Sequence, residues 1–68
     1  MDIKKGQKWL VRRYAEDMFP VPNINDILLI GDSPSNLIWR FTNLQTGIEG
    51  STTYMSLNYS SDLIAEII

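Results

Sequence analysis

Sixty-eight residues with a net charge of −2 make one small domain, residues 1–68, and this chain contains neither histidine nor cysteine. Thiol nucleophiles, Cys–His pairs, Ser–His–Asp triads, disulfide staples and the usual zinc ligand sets are thereby excluded. A pI near 4.7 also disfavours general phosphate-backbone binding, which depends on many Lys and Arg contacts.

A chain of this length buries only about 60% of the surface that its unfolded form exposes, so its core is thin. With 44% hydrophobic and 21% charged residues, it has the composition of a folded domain rather than a disordered one. The longest apolar run, Ile27–Ile30, is far shorter than the roughly 20 residues of a membrane span. No apolar stretch backs the basic residues near the N-terminus, as a secretory signal would require. The expectation is a cytoplasmic protein with no membrane contact, no cofactor and no metal. Its charges are segregated: Lys4, Lys5, Lys8, Arg12 and Arg13 are five of the six basic residues, and seven of the eight acidic ones follow them.

Gln7–Tyr14 reads as the first strand, entered through Gly6, with Trp9, Val11 and Arg13 on one face and Lys8, Leu10, Arg12 and Tyr14 on the other. Ala15–Asn25 reads as a loop, because Pro20 and Pro22 fit neither mid-helix nor mid-sheet. Glu16 and Asp17 can begin a single helical turn there. Asp26–Gly31 reads as a short strand, apolar on both faces. Gly31–Asn36 combines glycine, aspartate, proline and asparagine into the clearest turn of the chain. Leu37–Thr42 alternates cleanly, with Leu37, Trp39 and Phe41 on one face, and pairs with the preceding strand as an antiparallel hairpin. Asn43–Gly47 is a turn, and Ile48–Leu57 a polar strand in which Gly50 suggests a bulge or bend. Ser60 or Ser61 then caps a final helix carrying Leu63, Ile64, Ile67 and Ile68 at helical spacing. That helix is too short to stand alone and must dock on the sheet.

Taken together, the Lys5-Gly6-Gln7-Lys8-Trp9 opening, two central apolar strands, a glycine turn, a polar strand and a closing helix resemble the small SH3-like barrels found among short bacterial and phage-encoded accessory proteins. Gly6, Gln7 and Trp9 carry the match at the residue level. The resemblance implies a mainly β fold: a small SH3-like barrel of four to five antiparallel strands with a short C-terminal helix. A three- or four-stranded sheet with the helix packed on one face is the competing architecture. Such barrels bind ligands through loops and an exposed sheet edge, and host many functions.

Chemistry-bearing candidates are few. Glu16 and Asp17 are chain neighbours and do not face a shared catalytic site. Ser51, Ser60 and Ser61 have no histidine or well-spaced lysine as base. Neither Gly31-Asp32-Ser33 nor Gly47-Ile48-Glu49-Gly50 ends as a phosphate loop does. Trp9 and Trp39 are either core anchors or a stacking platform, and the core is the expected place for both. The apolar segment Met18-Phe19-Pro20-Val21-Pro22 either plugs the barrel end or offers a recognition loop.

The function expected from these residues is non-enzymatic: a protein-binding module, in the form of a phage-type accessory protein that sterically inhibits or recruits a host enzyme or defence complex. The partner is a larger protein, and the chain itself a monomer or homodimer. The expected partner-binding residues are Arg12, Arg13, Tyr14, Met18, Phe19 and Val21. Two alternatives are a small nucleic-acid-binding barrel using Lys4, Lys5, Lys8, Arg12 and Arg13, and a structural subunit of a larger assembly.

Overall fold

The computed structural model describes residues 3–66. Among them, five strands and one helix follow one another as β1 (Lys8–Val11), β2 (Ile27–Ile30), β3 (Ile38–Asn43), β4 (Glu49–Thr53), α1 (Tyr54–Ser60) and β5 (Ser61–Ala65). The strands form one antiparallel sheet in the order β4-β3-β2-β1-β5. The mainly β class with five antiparallel strands is therefore as expected. The barrel is not closed, because β4 and β5 are the two edges of the sheet and do not pair with each other.

Period-2 alternation decides which side chains build the core. Trp9 and Val11 of β1, Leu28 and Ile30 of β2, and Phe41 of β3 point inward and are buried. Leu57 of α1, Ile3 and Met18 complete the cluster, and Trp39 and Leu63 pack against it half-buried. Trp9 lies opposite Leu28 on one side and Leu63 on the other, so the largest core residue ties three strands together. Its indole N–H donates to the buried Gln7 Oε1 at 3.0 Å. Gln7 also accepts from the Lys4 amide at 3.0 Å and donates to Glu66 Oε1 at 2.8 Å. One amide side chain thus joins the start of β1 to the end of β5. Buried polar groups are tolerated where each is paired in this way.

The ends of several elements differ from expectation for identifiable reasons. β1 stops at Val11 because the amides of Arg12 and Arg13 both donate to the Ser60 carbonyl, at 2.7 and 3.0 Å, which turns the chain off the sheet. β2 is not apolar on two equivalent faces: Leu28 and Ile30 are buried, whereas Ile27 and Leu29 are half-buried on the outside. β4 ends at Thr53 rather than Leu57. Thr53 is the helix N-cap, its side chain accepting from the Ser56 amide at 3.2 Å. The helix therefore precedes the last strand instead of closing the chain. Leu63 and Ile64, expected on that final helix, lie on β5, while Ile67 and Ile68 fall outside the described residues.

Gly50 is required by close approach, not by a bulge. A Cβ there would lie 2.5 Å from the Phe19 carbonyl oxygen, 2.7 Å from Pro20 Cδ and 2.8 Å from Phe41 Cζ. The segment before β2 can therefore lie directly on β4, where Phe19 and Ser51 exchange two backbone hydrogen bonds of 3.0 and 2.9 Å. This bridge covers part of the free edge of β4, where unpaired backbone groups would otherwise face solvent.

Candidate functional site

The segment 18–22 resolves into two opposite fates. Met18 is 3% exposed and belongs to the core, which corrects its assignment to the partner-binding set. The Phe19–Ser51 bridge fixes the chain so that Met18 points inward, and Pro22 is buried as well. Phe19 is 78% exposed, and Val21 also faces out. The Phe19–Pro20 peptide bond is cis.

The expected basic stripe is dispersed by pairing. Lys5 Nζ lies 3.0 Å from Asp32, and Arg12 Nη1 lies 3.1 Å from Asp62 across the β1–β5 pair. Both pairs are exposed, so each adds little stability, roughly 0–1 kcal/mol. They nonetheless place a carboxylate against two of the five cations invoked for nucleic-acid binding. Arg13 sits over the Tyr59 ring, 5.1 Å from its centroid, in cation–π geometry.

An open groove of about 730 Å³ lies between the segment after β1 and the β4–α1 junction. That volume lies within the range of ligand-binding clefts. Tyr14, Leu37, Tyr54, Met55 and Tyr59 supply its apolar surface. Ala15, Thr53, Ser56, Glu16 and Asp17 complete its lining. All three tyrosines of the chain line this one groove. Met55 is 79% exposed and Leu37 69%, and with Tyr59 and Tyr14 they are four of the five most exposed large apolar residues among those described.

Local sequence explains why these side chains face water. Leu37 was expected on the inner face with Trp39 and Phe41, but β3 begins only at Ile38, and Leu37 precedes it. Its carbonyl accepts from the Tyr54 amide at 3.0 Å, so the start of β3 and the start of α1 form one wall. On α1, Leu57 faces the core while Met55 and Tyr59 lie on the solvent side. Tyr14 follows the turn made by the shared Ser60 carbonyl, which aims the chain away from β1 toward this wall.

Of the expected partner-binding set, only Tyr14 lines the groove, with Arg13 against its edge through Tyr59. Val21 lines a separate, much smaller hollow of about 70 Å³, together with Pro20, Phe41 and Ile48. Leu37, Tyr54, Met55 and Tyr59 were not anticipated as a site. The sequence signal for part of this site is the close spacing of Tyr54 and Tyr59, since tyrosine combines apolar area with a wettable hydroxyl.

Among the described residues no group of three or more His, Cys, Asp or Glu side chains could hold a metal ion. No helix among them is long and apolar enough to cross a membrane. A comparison with protein-family models, curated proteins and solved structures finds no match to this chain.

Proposed function

We propose that this chain is a non-enzymatic protein-binding module that docks a segment of a larger protein in the groove between Tyr14 and α1. The observation that carries this reading is the concentration of exposed apolar side chains there: Leu37, Met55, Tyr14 and Tyr59 all border one concavity. Contiguous exposed apolar surface in a small protein marks interaction sites. Tyrosine and methionine are also enriched in the centres of such interfaces, whereas Lys and Glu are depleted.

The mechanism is steric. A small scaffold, held by the Trp9–Gln7 core and the Phe19–Ser51 bridge, presents a groove that needs no chemical step to act. Occupying a surface of a host enzyme or defence complex, to block or recruit it, is the form of action we favour. Nucleic-acid binding is the weaker reading, given that Lys5, Arg12 and Arg13 are already engaged within the chain.

The test is a Leu37→Ser/Met55→Ser double variant. Both side chains are solvent-exposed, so the melting temperature should stay within a few degrees of the parent. Partner retained by the parent protein from its native cell extract should be lost from the variant. Equal retention by a folded variant would remove the groove from the account.

A further inference from the structure

Two of the residues that line the groove are acidic. Glu16 and Asp17 are exposed and line the concavity, and the ion pairs among the described residues, Lys5–Asp32 and Arg12–Asp62, involve neither carboxylate. By contrast, two carboxylates elsewhere, Asp32 and Asp62, are taken up by Lys5 and Arg12. Asp17 also holds its backbone at φ +60, a conformation that aspartate and asparagine tolerate better than most residues. The same groove is lined by Tyr14 and by Tyr54 and Tyr59 of α1. Tyrosine faces attract cations, and Tyr59 already shows this toward Arg13.

From this we infer that the occupant of the groove is an extended, basic segment of the partner protein, with a Lys or Arg side chain directed at Glu16 and Asp17 and its apolar neighbours on Leu37 and Met55. The inference rests on the groove being the docking site. Charge complementarity selects this occupant over the others. A second copy of the chain is disfavoured, since Lys5, Arg12 and Arg13 of its basic N-terminal segment are engaged by Asp32, Asp62 and Tyr59 within the fold, and an acidic segment or a nucleic acid would meet two carboxylates. Burying the cation against aromatic faces, with a carboxylate alongside, strengthens the pair beyond its value at an open surface. Arg13 is itself engaged on the Tyr59 ring rather than with Glu16 or Asp17.

Selection of a random peptide library against the whole folded protein tests this. Peptides that depend on Leu37 and Met55 should be enriched in Lys and Arg over the unselected library. Replacing the arginine of a selected peptide with its neutral isostere citrulline should weaken binding about tenfold, the scale of one well-placed cation contact. The Glu16→Gln/Asp17→Asn variant should bind the arginine and citrulline peptides equally, while melting as the parent does. Groove-dependent peptides without basic enrichment, or indifferent to that variant, would overturn the inference and leave the groove as the docking site. If no selected peptide depends on Leu37 and Met55, both fall.

Discussion

Gly50→Ala isolates the contact that shapes the segment preceding β2. The added methyl would stand 2.5 Å from the Phe19 carbonyl oxygen and 2.8 Å from Phe41 Cζ, distances that real Cβ atoms essentially never show. Neither neighbour is the free end of a flexible chain: one is backbone and the other a buried ring. Overpacking of this kind costs about 1–3 kcal/mol. Displacing Phe19 also breaks its two backbone hydrogen bonds to Ser51, each worth about 0.5–1.5 kcal/mol net. The combined loss is about 2–6 kcal/mol, and in a domain this small each kcal/mol moves the melting temperature by about 4–8 °C. Thermal denaturation followed by circular dichroism should therefore show a drop of about 8 °C or more. Amide exchange at Phe19 and Ser51 should accelerate even under conditions where the rest of the sheet stays protected. Gly47→Ala is the control. Gly47 has φ +75 but open space around it, so only a left-handed penalty of about 1–2 kcal/mol applies. A Gly50→Ala protein that melts with the parent and keeps both amides protected would refute the close-approach argument.

Other substitutions separate the two sides of the fold. Met18→Ala removes a buried side chain and should cost about 2–5 kcal/mol, whereas Phe19→Ala should stay within about 0.5 kcal/mol in urea unfolding. Comparable losses from both would mean that the segment packs differently. Gln7→Leu strips the Trp9 indole of its acceptor and the Lys4 amide of its partner, for an expected loss of about 1–3 kcal/mol by the same assay. An unchanged unfolding midpoint would show that the buried amide is dispensable. Thr53→Ala removes the helix cap and should cost about 1 kcal/mol, with the Ser56 amide exchanging faster. Fluorescence anisotropy with short DNA and RNA at low salt should show no binding, and a steep salt-dependent affinity would revive the nucleic-acid reading.

How far the fold was legible depends on how local its causes are. β3 and the turn before it were readable because alternation and turn chemistry act within a few residues: Trp39 and Phe41 do face inward, and the chain does reverse at Gly31–Asn36. The β2–β3 hairpin followed from the same signals. The C-terminal third was misread at its boundaries because distant partners decide it. Ser61-Asp62-Leu63-Ile64 has the cap and spacing of a helix start, but Leu63 pairs opposite Trp9 and the segment becomes an edge strand. Conversely, Tyr54–Leu57 reads as the end of the polar strand, yet capping by Thr53 and burial of Leu57 make Tyr54–Ser60 helical. Met18 and Phe19 could not be told apart from pattern, since the bridge that orients them requires Gly50, more than thirty residues away. The groove was legible only through Tyr14, because its other wall exists only once β3 and α1 have met.

The most direct measurement of the central claim uses a photo-crosslinking phenylalanine analogue at position 55, at the groove, and separately at position 8, on the outer face of β1. After illumination in native cell extract, the position-55 protein should give one dominant covalent adduct that competing parent protein abolishes, and the position-8 protein should give none. Equal labelling at both positions, or an adduct only at position 8, would contradict a module that works through the tyrosine-lined groove.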